Sequence, residues 1–185
     1  MNKTLITFFT VLFCLTSSVG WSETIDDLVK RDGLYYKKFT EVPFTGKITG
    51  KTTGSFKNGK LDGSWIDYWD NGQLQSKGNW KNGKQEGSSI EYHKNGKLKS
   101  KVNYKNGKIN GSWISYYDNG QLRTKGDYKN GKRDGSWVWY FKNGQLHYKG
   151  NYKNGKKEGS WVYYKKDETI DEWTRTYKDG KKISD

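Results

Sequence analysis

Cysteine is nearly absent from this 185-residue chain: the single copy, Cys14, lies in an apolar leader. A disulfide scaffold is therefore excluded, even in an oxidising compartment. Histidine occurs twice, as His93 and His147, at different repeat positions. With no cysteine left after leader removal, no convergent set of metal ligands can be found. No catalytic residue, metal or cofactor is expected. Aliphatic side chains are scarce too. Hydrophobic residues make up 31% of the chain, yet aromatics alone make up 16%. That balance argues against a thick aliphatic core and for a thin sheet faced with rings. Acids are outnumbered, with 34 Lys+Arg against 20 Asp+Glu and a net charge of +14. Such an excess favours anionic partners (nucleic acid, anionic lipid, acidic glycan or acidic protein) or serves only the solubility of lysine-rich turns.

Residues 1–22 read as a secretory signal peptide. Lys3 supplies the positive start, Leu5 to Leu15 the apolar run, and Ser17, Ser18, Gly20 and Ser22 the small residues before cleavage after Gly20 or Ser22. The run is too short to span a bilayer comfortably. Phe13 before Cys14 does not suit a lipoprotein site. The expectation is an exported protein, periplasmic or extracellular, with no transmembrane segment in the mature chain.

What the chain has in abundance is Asn-Gly. The pair recurs from Asn58-Gly59 to Asn154-Gly155, spaced alternately by 13 and 11 residues, for a period of 24. Asn-Gly suits the type I′ hairpin turn because both central residues need φ > 0. A turn every dozen residues predicts an all-β, elongated antiparallel β-hairpin repeat array. Residues 23–53 read as an N-terminal cap and degenerate repeat, with a short helix over Thr24 to Lys30. Residues 54–173 hold five 24-residue repeats, and 174–185 a C-terminal half repeat after a bulge or irregular turn between Asp167 and Tyr177. Asp167-Glu168 replaces the last Asn-Gly.

A two-residue turn at Asn95-Gly96 pairs residues whose numbers sum to 191, placing Ser89 opposite Val102. The same rule sets Trp65 opposite Gly78, Trp113 opposite Gly126 and Trp137 opposite Gly150. The one hairpin without the tryptophan also lacks the glycine, so an indole is expected to lie over that glycine. Asp67–Ser76, Glu91–Ser100, Ser115–Thr124 and Trp139–Tyr148 pair likewise. Alternation assigns the Trp–Gly pairs, Trp69–Leu74, His93–Leu98, Tyr117–Leu122, Phe141–Leu146 and the series Phe56, Trp80, Tyr104, Tyr128, Tyr152 to one face, the core side. Ile66–Lys77, Ile90–Lys101, Ile114–Lys125 and Val138–Lys149 take the other, with Tyr68, Tyr92, Tyr116 and Tyr140.

The pattern G-x-[WY]-K-N-G-K-x-x-G-S-W-x-x-Y-x-x-N-G over about residues 33–185 resembles the bacterial variant of the MORN repeat. The leader Arg31-Asp32-Gly33-Leu34-Tyr35-Tyr36 with Pro43-Phe44-Thr45-Gly46-Lys47 is similar to the entry segment of such proteins. The resemblance implies hairpin arrays and protein–protein contact. Many such proteins are catalogued as antitoxin components of toxin–antitoxin pairs, and some eukaryotic members have proposed phospholipid binding.

Two candidate surfaces follow. The densest aromatic cluster is Trp137, Trp139, Phe141, Tyr148 and Tyr152, either a platform for sugar rings or ordinary packing of a thin sheet. The turns align Lys81 and Lys84, Lys105 and Lys108, Lys129 and Lys132, and Lys153 and Lys156 in a positive comb, either a polyanion or anionic-lipid site or solvated turns that guard the edge. Asp62, Glu86, Asp134 and Glu158 read as turn-shaping acids. The leading partner is another protein; the alternative is an envelope glycan or anionic phospholipid. Nucleic acid is not expected for an exported chain.

Overall fold

The computed structural model describes residues 22–165 and 174–184. The leader, the Asp167-Glu168 turn and most of the segment expected to bulge before Tyr177 lie outside these residues. A 3-10 turn, Ile25–Asp27, precedes a two-stranded sheet of β1 (Leu28–Arg31) and β2 (Leu34–Lys37). The remaining strands are β3 (Gly46–Ile48), β4 (Thr52–Lys57), β5 (Lys60–Tyr68), β6 (Leu74–Lys81), β7 (Lys84–Tyr92), β8 (Leu98–Lys105), β9 (Lys108–Tyr116), β10 (Leu122–Lys129), β11 (Lys132–Tyr140), β12 (Leu146–Lys153), β13 (Lys156–Tyr163), β14 (Arg175–Lys178) and β15 (Lys181–Ser184). They form one 13-stranded antiparallel sheet in chain order. At about 4.8 Å per strand it runs for roughly 60 Å. The expected all-β hairpin array is what the chain forms.

The helix expected over Thr24 to Lys30 is not there. Asp27 accepts a hydrogen bond from the Thr24 amide at 2.8 Å and closes a single turn. From Leu28 the chain is already a strand, because Asp32 (φ 49°) and Gly33 (φ 79°) make a further hairpin turn that pairs Leu28–Arg31 with Leu34–Lys37. Leu28, Ile48 and Phe56 are buried there, with Tyr35, Phe44, Leu61 and Trp65 packed around them. This small core closes the N-terminal end.

The two Asn-Gly series build different turns. In the lysine turns Asn58, Asn82, Asn106, Asn130 and Asn154 have φ between 50° and 52°, and each following glycine is also positive, which is the type I′ geometry. In the other series only the glycine is left-handed. The Trp69 amide donates to the Gln73 carbonyl (2.8 Å) and the Gly72 amide to the Trp69 carbonyl (2.9 Å), which makes a three-residue loop, and His93, Tyr117 and Phe141 repeat it. Tyr68 then pairs with Leu74 and Asp67 with Ser76, leaving Gln75 as a bulge residue. Lys99, Arg123 and His147 are its counterparts. The bulge corrects one expectation. Leu74, Leu98, Leu122 and Leu146 pair with Tyr68, Tyr92, Tyr116 and Tyr140, so they share the isoleucine–lysine face, not the tryptophan face.

Beyond the bulge the register is the expected one, with Trp65 opposite Gly78, Ser89 opposite Val102, Trp113 opposite Gly126 and Trp137 opposite Gly150. The indoles, however, lean the other way. A Cβ built at Gly54 would stand 2.2 Å from Trp65, at Gly126 2.1 Å from Trp137, and at Gly150 2.3 Å from Trp161, whereas at Gly78 it meets Ser89 Oγ at 3.3 Å. Each strand has two neighbours, and the ring chooses the earlier one. The cause is a second bulge. Between the pairs Phe56–Leu61 and Gly54–Trp65, three residues of β5 face one of β4, with Gly63 at φ 106°. Gly87, Gly111, Gly135 and Gly159 repeat that positive φ. The true partners are therefore Trp65 over Gly54, Ser89 over Gly78, Trp113 beside Val102, Trp137 over Gly126 and Trp161 over Gly150. The Ser89–Val102 swap was not a size match under one ring.

Candidate functional site

The tryptophan face is the better covered. Phe56, Ser100, Val102, Ser115, Thr124, Trp137 and Trp161 are all buried and all belong to it. One row crosses this face with a single residue per strand: Thr52, Asp67, Ser76, Glu91, Ser100, Ser115, Thr124, Trp139, Tyr148, Tyr163. Its chemistry changes along the array, from acid and hydroxyl to aromatic.

The expected aromatic cluster sits at the aromatic end of this row. Trp139 stacks on Tyr148 with centroids 4.4 Å apart and on Trp137 at 5.4 Å, and Phe141 stacks on His147 at 4.0 Å. Tyr152 meets Trp161 edge-on at 5.0 Å. Trp137 is only 1% exposed, so its ring belongs to the packing over Gly126 and not to an accessible platform. Trp139, Phe141, Tyr148 and Tyr152 remain half-buried.

Two cations missed by sequence reasoning stand among these rings. Arg133 Cζ lies 4.8 Å from the Trp137 centroid, 5.5 Å from Trp139 and 5.3 Å from Tyr152, and its Nη1 donates to the Tyr152 hydroxyl at 3.0 Å. Lys157, one repeat later, lies 4.2 Å from the Trp161 centroid and 4.8 Å from Tyr177, and donates to the Tyr163 hydroxyl at 3.0 Å. Burial works against both charges, but hydrogen bonds to tyrosine hydroxyls outweigh it and both pKa values lie above the ordinary. The signal was in the sequence: Leu61, Gln85 and Ile109 precede Arg133 and Lys157 at the same repeat position.

Beside the cluster, the same face holds a depression of about 520 Å³. Ser100, Ser115 and Thr124 lie along it, Trp139 and Tyr148 stand at one end, and Glu91 and His93 at the other. The bulge residues Lys99 and Arg123 also line it. Lys99 pairs with Glu91 at 3.0 Å. Arg123 has no ion pair among the described residues.

The lysine comb lies apart from this cluster, at the turns. Lys81 pairs with Lys84, Lys105 with Lys108, Lys129 with Lys132 and Lys153 with Lys156 directly across each turn, and all eight are exposed. No described acid is within salt-bridge distance of them. The stems of Lys60, Lys84, Lys108, Lys132 and Lys156 each lie over the glycine of the next turn, so the comb is laid along the array. The acids beneath it clasp successive repeats: Asp62 accepts from the Asn82 amide (3.0 Å), Glu86 from Asn106 (2.7 Å) and Glu158 from Asp179 (2.9 Å). On the opposite edge, Asn71, Asn95 and Asn119 donate to the carbonyls of Lys94, Asp118 and Lys142. Among the described residues no three His, Cys, Asp or Glu side chains gather as metal ligands, and no helix is long and apolar enough to cross a membrane.

No curated protein matches the chain. Among solved structures it is similar to a chain of the GtfA/B complex bound to UDP and GlcNAc. The identity is 14% over 84% of this chain and 28% of that one, with a TM-score of 0.19. Four consecutive stretches, residues 61–82, 85–106, 109–130 and 133–154, match the MORN repeat variant. Residues 61 to 154 thus carry four tandem stretches similar to the MORN repeat variant, a repeat that suggests a binding scaffold.

Proposed function

We propose that this protein is an exported, non-enzymatic scaffold that binds another protein in the cell envelope through its tryptophan face. The observation that carries the reading is the depression between Glu91 and Tyr148, where Arg123, over the Tyr117 ring and in no described ion pair, and the ring-bound Arg133 sit beside half-buried aromatic rings. Aromatic and arginine side chains of this kind anchor interfaces. An extended one-layer array offers them in sequence along a long surface. Neutralisation of an exported toxin is one specific form of this function.

The alternative is an envelope glycan or an anionic lipid. The exposed comb favours lipid, and the rings of the tryptophan face favour glycan. A pull-down of the mature protein from envelope extract, run beside peptidoglycan and anionic liposomes, tests the reading. Wild type should recover a protein partner, Trp139→Ala should lose it, and exchange of Lys105 and Lys108 for Gln should not. Retention on liposomes that weakens steeply with salt and depends on the comb would replace the protein reading with the lipid one. Mass spectrometry of the native protein tests export, and a retained Met1 would sink it.

A further inference from the structure

We propose that the depression on the tryptophan face is a saccharide subsite that accepts a carboxylated pyranose. The inference rests on the reading that this face is the binding face, and it gives the glycan alternative a place and a chemistry.

The argument starts from two hydroxyls. Ser100 and Ser115 are 6% and 8% exposed, and neither side-chain hydroxyl has a hydrogen-bond partner among the described residues. Their neighbours in the row are satisfied. The Thr124 hydroxyl donates to the Val138 carbonyl at 3.0 Å, and at the equivalent of Ser100 one repeat earlier, Ser76 donates to Asp67 at 2.9 Å. The array can satisfy a hydroxyl in this row, and at two adjacent strands it does not. Neither oxygen is fully buried: both open onto the depression, where a ligand group can take the place of water. Ser100 and Ser115 are cross-strand partners, so their Cβ atoms lie about 5 Å apart, a spacing that faces hydroxyls around a single sugar ring.

The end wall gives the second requirement. Trp139 is backed by Tyr148 and lines the same depression as Thr124 and the two serines. A flat indole beside a polar floor suits a pyranose, which has one apolar face and a rim of hydroxyls. Charge gives the third. Glu91 is engaged by Lys99, while Arg123 and Arg133 are not neutralised by any described acid, so the depression is net positive. A guanidinium group prefers a carboxylate. An acidic peptide would supply the carboxylate but not the ring of hydroxyls. The volume of about 520 Å³ falls within the ordinary range for small-ligand sites.

The mature protein would be titrated by calorimetry with tetragalacturonate and with its methyl-esterified counterpart, which keeps the rings and loses the charge. Saturable binding of the acid is expected, with the ester weaker by roughly tenfold. Exchange of both Ser100 and Ser115 for Ala should weaken both ligands by roughly tenfold without lowering the unfolding midpoint. Arg123→Gln should erase the preference for acid over ester and leave the ester's affinity unchanged. Absence of saturable binding by either sugar, or binding indifferent to these three residues, overturns the subsite. If the sugars fail while the envelope pull-down still depends on Trp139, the subsite falls and the binding face stands. If Trp139 matters to neither, both fall.

Discussion

Gly126 with Trp137 and Gly78 with Ser89 occupy the same two positions of the repeat, 48 residues apart, and they are packed in opposite ways. At the first pair an indole 1% exposed lies flat over a bare backbone, with Tyr128 edge-on at 5.1 Å. At the second a hydroxymethyl group faces the glycine and covers almost nothing. One backbone therefore tolerates a filled and an unfilled version of the same contact. The turn and bulge geometry, not the ring, sets the fold, while the ring sets how tightly neighbouring repeats are joined. In arrays whose stability is a sum of repeat and interface terms, such variation makes some interfaces stiff and leaves others loose.

The largest predicted effect comes from adding one methyl group at each site. Gly126→Ala places its Cβ 2.1 Å from Trp137 Cδ2, so the ring or the strand must move. A loss of about 1–3 kcal/mol in urea denaturation is expected. Gly78→Ala meets only Ser89 Oγ at 3.3 Å, which a small rotation relieves, and should change stability by less than about 0.5 kcal/mol. Neither glycine has positive φ, so strain does not blur the comparison. Equal losses at both sites would break it.

A smaller effect is expected from filling the loose site. Ser89→Trp gives the second repeat the ring that Trp65, Trp113, Trp137 and Trp161 supply elsewhere, and the bare Gly78 leaves room for it. A gain of about 1 kcal/mol is expected from the apolar area buried. Adding Gly78→Ala to that variant should cost more than it does alone, because the two residues then compete for one space. Strict additivity would mean that the new ring leans toward Val102, its partner on the later strand.

These contacts show where the sequence was readable. The Asn-Gly beat, the I′ turns and the pairing of Trp137 with Gly150 all follow from local turn chemistry and counting, and the strands obey them. Pairing fixes which Cα atoms face each other; it does not fix which neighbouring strand a long side chain covers. The tilt of Trp137 onto Gly126 was hidden for that reason. The alternation of 13 and 11 residues did contain the hint of two turn types. Treating both as two-residue turns put Leu122 opposite Tyr117 instead of Tyr116 and left Arg123 unnoticed as a bulge residue on the tryptophan face. Ser100 and Ser115 were legible as a polar part of the row, but their lack of partners is a property of three dimensions.

The smallest expected effect separates the aromatic end of the array from its middle by pH. The bulge position holds Gln75, Lys99 and Arg123, and then His147, whose ring stacks on Phe141 at 4.0 Å and meets Tyr148 edge-on at 4.7 Å. Burial pushes the His147 pKa below the ordinary histidine value. Its unfolded value is about 6.5. Well above that pH the imidazole is neutral in both states and contributes no pH dependence. As pH falls below it the unfolded chain takes up a proton before the folded one does, and stability is lost toward the depressed folded value. Asp70 and Asp118, held low by hydrogen bonds from Lys51 and Lys142, act only in the lower window, below about pH 4. Urea midpoints at pH 7.5 and 5.5 should therefore differ slightly more for wild type than for His147→Gln. An identical shift in the two proteins would show that His147 protonates as freely in the fold as outside it, and that the aromatic end does not shield it.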